Sequence, residues 1–224
     1  MCYHISFEVK LESILDYFPD LVIDTQTEMN FTTAAYMNGF DHPPVKCIAK
    51  SRKDGKLHLV EMMWGFLPAN VKDFEAAKRF WNGYKDENGR WNTGFITLNC
   101  IGEEMLQKPL YRDAALSRRC IFFMDGFYEW QHVFPMGKKG QRLKTAVKYP
   151  HHIYLKDNPY PFTMCAGIWN PWKHTETDTE TGEMITTVTP TVALCTTKAN
   201  SLMARIHNSK LRMPTFLTKE LADE

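Results

Sequence analysis

Leu11, Ile14, Leu15 and Phe18 recur at helical spacing, and Pro19 closes the segment. Phe74, Ala77, Phe80, Trp81 and Tyr84 repeat the pattern between Asp73, a capping residue, and Gly83. A third helix is predicted from Pro109, a favoured first-turn residue, to about Arg119. Cys120–Met124, His152–Lys156, Phe162–Ile168 and Thr191–Thr196 are rich in β-branched or aromatic residues between turn formers, and read as strands. Ser201–Ile206 reads as a short helix leading into His207, and Thr218–Glu224 as the first turns of another. Two polar stretches read as loops: the basic Pro135–Lys148 and the acidic, Thr-rich Lys173–Glu183. The pattern predicts one α+β, β-rich domain over residues 1–224, with its strands bunched in the second half.

Composition narrows the class. At 44% hydrophobic over 224 residues, with six Trp, nine Tyr and fourteen Phe, the chain builds a core and is no disordered tail. The net charge of +1 gives no global field, so a nucleic acid would have to be met by a local patch. Six scattered cysteines without a C-x-x-C pair argue against a zinc ribbon or a disulfide framework and for a reducing compartment. No signal peptide or membrane-length apolar run is present, and the expected setting is the cytoplasm, at the nucleoid in a bacterium.

Cys2 directly follows the initiator methionine. Its side chain is small enough for Met1 to be trimmed, which would leave a 1,2-aminothiol. Such a group condenses with an aldehyde to an imine and closes through sulfur to a thiazolidine ring. An α-amine, with a pKa near ~7.7–8.0 against ~10.4 for lysine, is neutral far more often at pH 7 and suits the first step. On its own a cysteine at position 2 is most often incidental.

Three later segments change its meaning. Trp64-Gly65-Phe66-Leu67-Pro68 follows a hydrophobic run, Asp125-Gly126-Phe127-Tyr128-Glu129-Trp130 sets a carboxylate between two aromatics, and His207 precedes Arg212-Met213-Pro214. With Met1-Cys2, this order resembles the SRAP (SOS response-associated peptidase) family from residue 2 to about residue 217. The family's hallmarks are an N-terminal Cys and W-G-x-x-P, N-A-R-x-E, D-G-[FW]-[FY]-E-W and H-x-R-M-P segments. The resemblance implies a partly barrel-like curved sheet flanked by short helices, acting as a monomer on single-stranded DNA. It also implies a covalent thiazolidine crosslink to the aldehyde of a ring-opened abasic site, self-removal of Met1, and no metal or cofactor.

Carried over by position, Cys2 would be the nucleophile, Glu129 the acid/base that opens the deoxyribose, and His207 its assistant. Asn99 would position the N-terminal residue. The chemistry stands apart from the family. An abasic sugar is mostly a closed hemiacetal, so exposing its aldehyde requires a proton donor and an acceptor. A carboxyl between the rings of Tyr128 and Trp130 would be desolvated and raised in pKa, and histidine serves in either protonation state.

Departures from the pattern bear on DNA binding. Tyr3 and His4 stand where the family has Gly and Arg, and Ile101 stands where N-A-R-x-E has its arginine, although Asn99 and Glu103 match. An isoleucine cannot replace a fork of five donors. The expected DNA contacts are therefore His4, a stacking platform of Trp64, Phe66 and Leu67 with Pro68 as a wedge, and Arg205 and Arg212 near His207. Lys198, Lys210, Arg118 and Arg119 are further candidates to replace the missing arginines. Two other functions stay open: a cysteine hydrolase using Cys2 and His207, and a non-catalytic binder of single strands.

Overall fold

The structure, a computed structural model, describes residues 2–223. Two sheets dominate. The larger is built from β3 (Pro44–Lys50), β4 (Leu57–Trp64), β8 (Arg119–Met124), β11 (Thr163–Thr177) and β12 (Met184–Lys198). Pairing runs β11-β8-β3-β4-β12, and β12 returns to β11, which closes a five-stranded barrel. Closure gives each of these strands a partner on both sides over part of its length. Two short strands extend β12: β7 (Asn99–Ile101) lies parallel to it and β13 (Arg212–Pro214) antiparallel.

The smaller sheet has the order β10-β9-β1-β2, with β1 (His4–Phe7), β2 (Ala34–Asn38), β9 (Gly126–Val133) and β10 (Val147–Ile153). Only Asp125 separates β8 from β9, so one stretch of chain passes from the barrel into this sheet. Gly126 sits at that corner because a Cβ there would strike the His152 ring and the Ile153 carbonyl. Two residues each form the β5 (Tyr84–Lys85) and β6 (Trp91–Asn92) hairpin.

Six short helices pack around the sheets among the described residues: α1 (Leu11–Tyr17), α2 (Thr25–Met29), α3 (Phe74–Asn82), α4 (Pro109–Ser117), α5 (Ser201–Ile206) and α6 (Lys219–Asp223). Asp73 caps α3 by accepting from Ala76 N, and Gly83 ends it at φ +76°. Asn200 caps α5 by accepting from Met203 N. None of these helices is long and apolar enough to cross a membrane. The expected end of the last helix at Glu224 lies outside the described residues.

The expected barrel-like α+β architecture is present, and the pattern misplaced several strands. β1 to β4 lie in the first half, so strands are not bunched in the second. β3 was hidden because its interior residues are all buried, including Lys46, which pairs with Glu61 and lies over the Phe31 ring. A strand buried on both faces loses alternation. The expected His152–Lys156 strand instead runs Val147–Ile153, in register with β9. Lys173–Glu183 is not one loop: β11 and β12 continue as a hairpin to Thr177 and Met184, turning at Asp178, whose carboxylate accepts from Glu180 N and Thr181 N. Threonine-rich polar sequence is strand-forming once a partner strand satisfies its backbone.

Candidate active site

Cys2 precedes β1, the strand held between β9 and β2, and is fully buried. Its carbonyl accepts a 2.7 Å hydrogen bond from Asn99 Nδ2 at the start of β7. Its thiol lies in a cluster with Val45, Trp64, Leu98 and Met124, and is directed at the His4 carbonyl at 3.7 Å. Glu129 is buried in mid-β9. His207 is buried at the end of α5, where its backbone N–H closes on Met203 O. The chain then reverses at Leu211, at φ +55°, and enters β13. That reversal brings Arg212 O to 2.9 Å from His207 Nδ1, with Glu129 Oε1 at 3.4 Å from the same nitrogen.

A carbonyl only accepts, so the contact with Arg212 O requires Nδ1 to carry hydrogen. In the neutral ring the lone pair is then on Nε2, the nitrogen that can take a proton. Burial drives His207 down to about 4 and raises Glu129 to about 7. Near neutrality the imidazole is uncharged and the carboxyl is divided between its forms. Burial, and next the charge of Glu129, push the Cys2 thiol well above its ordinary value. The raised carboxyl agrees with expectation, but its cause differs. Successive strand residues face opposite sides, so Tyr128 and Trp130 project away from Glu129, and it is the core side of the sheet that desolvates it.

The two shifts oppose each other in stability. Between about 4.5 and about 7 the native Glu129 holds a proton the unfolded chain has released, so its contribution falls as pH rises. Between about 4 and 6.5 the unfolded His207 holds a proton the native ring lacks, so its contribution rises with pH. In the wild type these slopes offset. Urea titrations from pH 4 to 7.5 are expected to show stability rising with pH in Glu129→Gln and falling with pH in His207→Asn. Parallel pH profiles for the two variants would refute the assignment.

The expected DNA contacts divide. Trp64, Phe66 and Leu67 are core residues, which corrects the stacking platform. Trp64 Nε1 donates to Leu98 O, Leu67 N donates to Thr191 Oγ1, and Asn170 Nδ2 donates to Leu67 O, so the segment is tied between β11 and β12. Pro68 is half-buried at its end. His4 is half-buried, with Nδ1 2.6 Å from the Tyr36 hydroxyl. Arg205 is exposed, as are Lys198, Lys210 and Arg119, whereas Arg118 is half-buried with Nε on Trp169 O.

Arg212 is committed within the fold: its guanidinium binds both Glu103 carboxylate oxygens and Thr196 O. The spacing gave no sign of this pair, although both residues belong to segments singled out above. Cys100, beside Asn99, meets Cys195 Sγ to Sγ at 3.1 Å in the core, and all six cysteines are buried thiols. Among the described residues no cluster of three or more His, Cys, Asp or Glu is arranged to hold a metal ion.

Comparison with known proteins gives a consistent result. The abasic site processing protein YoqW of Bacillus subtilis is 29% identical over 210 residues, covering 93% of this chain and 75% of the relative. The abasic site processing protein HMCES of Gallus gallus is 26% identical, over 74% of this chain and 44% of that protein. A crystal structure of a protein from Bacteroides thetaiotaomicron superposes with a TM-score of 0.69 at 26% identity, covering 99% of this chain and 79% of the other. The profile of the SOS response associated peptidase (SRAP) family matches residues 1–224. The chain belongs to the SRAP family.

Proposed function

We propose that this protein processes abasic sites in single-stranded DNA by forming a covalent thiazolidine through Cys2 after removing its own Met1. Met1 lies outside the described residues, so the reading rests on what surrounds Cys2. The observation that carries it is the convergence of Cys2, Asn99, Glu129 and His207 from four distant parts of the chain. Relatives named for abasic-site processing support it.

The steps follow from the groups present. Protonated Glu129 gives its proton to the ring oxygen of the sugar while a base, His207 Nε2 in the neutral ring, takes the proton of the anomeric hydroxyl, and the aldehyde opens. The neutral α-amine of Cys2 adds to C1′, water leaves, and an imine forms. The thiol sulfur then adds to the imine carbon, and its proton passes by way of the Glu129 carboxylate to the ring nitrogen. Asn99 fixes the Cys2 carbonyl so that amine and sulfur present themselves together. A hydrolase acting on other proteins is less favoured, because burial and the Glu129 charge hold the thiol protonated, whereas a cysteine protease needs the thiolate.

The test is to mix Met-trimmed protein, verified by intact mass, with a single-stranded oligonucleotide carrying one abasic site. The expected product survives denaturant without added reductant, and its mass is the sum of the components less one water. Absence of that product from demonstrably trimmed protein would refute capture. Asn99→Ala is expected to slow adduct formation about 10- to 100-fold, since small misplacements of reacting groups carry penalties of that order. It also strands a buried carbonyl, lowering stability by about 1–3 kcal/mol. Initial rates and thermal melts would show both, and an unchanged rate would remove Asn99 from the site.

A further inference from the structure

The outward face of the four-stranded sheet carries a continuous row of rings. Ile5 and Phe127 point into the core, so by alternation His4, Tyr128, Trp130 and His152 point outward. The ring contacts follow that order: Tyr36 on His4 at 5.4 Å, His4 on Trp130 at 4.7 Å, Tyr36 on Tyr128 at 5.5 Å, Tyr128 on His152 at 4.5 Å, and His152 on Tyr154 at 5.9 Å. Nothing in the described chain covers the row's ends, for Tyr36 is 54% and Tyr154 66% exposed.

Glu129 lies on the other face of this sheet, and the row reaches the candidate site round the start of β1. Phe40 touches both His4 and Tyr3, and the Tyr3 hydroxyl, raised first by burial, also feels the charges of Glu129 and Cys2. This face offers a polyanion no negative charge of its own. The outward positions of the four strands hold Lys148, His132, His4 and His152 and no carboxylate; burial lowers His4 below its ordinary value, opposed by Asp41 in the turn after β2.

We infer that this sheet face stacks the bases of a single strand, taking about three nucleotides of the DNA that flanks the site held at Cys2. This deepens the proposed function and rests on it for the nature of the strand. Four strands at ~4.8 Å spacing span roughly 14 Å, the rise of about four stacked nucleotides and of fewer extended ones. Flat four-stranded sheets with exposed aromatics accept two or three bases by the same physics. Tyr3 and His4, which stand in place of the family's Gly and Arg, fit this reading: a grip through forked phosphate contacts is replaced by one through base faces. A duplex hides those faces and is not accommodated.

The experiment is fluorescence anisotropy with a labelled, undamaged single-stranded oligonucleotide. Tyr36→Ala and Tyr154→Ala are each expected to weaken binding about tenfold, the order that one base–ring contact contributes. Tyr154→Phe is expected to bind like the wild type, because the ring remains. Melting curves for each variant separate lost binding from lost fold. Both alanine variants binding within twofold of wild type, or a duplex of the same sequence binding equally well, would overturn the inference. Wild-type protein that binds the single strand through these rings yet forms no adduct with an abasic oligonucleotide would overturn the capture chemistry and leave this surface standing. Adduct formation with unaltered binding by the variants would do the reverse.

Discussion

Replacing Cys2 with alanine is expected to abolish the denaturant-stable adduct while leaving a folded protein. The size of the effect follows from the chemistry, since without sulfur the reaction stops at an imine, which water reverses. Cys2→Ser is the more informative companion. It keeps the amine and nearly the same shape, but its hydroxyl closes the five-membered ring poorly. Serine is therefore expected to give an adduct that persists only when borohydride reduces the imine, whereas wild type needs no reductant. A stable adduct from Cys2→Ala without reductant would end the thiazolidine reading. The thiol is buried among apolar side chains, so the alanine variant forfeits packing as well. Its melt should be compared before the loss is assigned to chemistry.

Glu129→Gln is expected to slow adduct formation by about 10²- to 10⁴-fold, the range for a positioned acid or base. Glutamine preserves the shape and removes the proton, so a folded but slow variant is the expected result. The pH profile carries the stronger test. Burial raises Glu129 to about 7, and in the proposed mechanism its protonated form opens the ring, so the wild-type rate is expected to decline above that value. The Cys2 amine must be neutral, so the rate climbs toward ~7.7–8.0. Together they give a bell with its maximum between the two. In Glu129→Gln the descending limb should vanish and only the climb remain. A descending limb that survives the substitution would belong to another group, and Glu129 would lose its role.

The residues that meet at the site were legible as members of segments matched in the family's order, since each alone reads as an ordinary residue. Gly126 marks the corner before Glu129, Asn200 opens the helix that ends at His207, and Pro214 closes β13. Their burial was not legible. Trp64 and Phe66 flank a glycine in a short run, and such a run reads alike on a surface or in a core. What decides is that β4 meets β12 only at Met63 and Trp64, a contact between residues over a hundred positions apart. Gly65, at φ +136°, takes up the bend there, packed so closely on His42 that no side chain fits. The aromatic row was invisible for a related reason. Its members come from β2, β1, β9 and β10, and two of those strands, AAYMN and VKYPHHI, lack alternation strong enough to be seen before they are paired.

Arg212 faces two ways, and the His207 imidazole depends on both. Its side chain grips Glu103 and the Thr196 carbonyl, while its own carbonyl receives His207. The histidine is thus registered against β12 and the turn after β7 through a neighbour's ion pair, as well as by its own helix. Glu103, drawn down to about 2 by that guanidinium, keeps its charge through mild acid. The contribution of this pair is present above pH ~4.3, where an unfolded glutamate is ionised, and fades only as pH falls through about 2. His207 therefore gains its proton, near pH 4, while its mooring is still fast. Acid is therefore expected to protonate His207 before it loosens the scaffold, so that after a brief exposure to pH 4 adduct formation returns at neutrality without refolding.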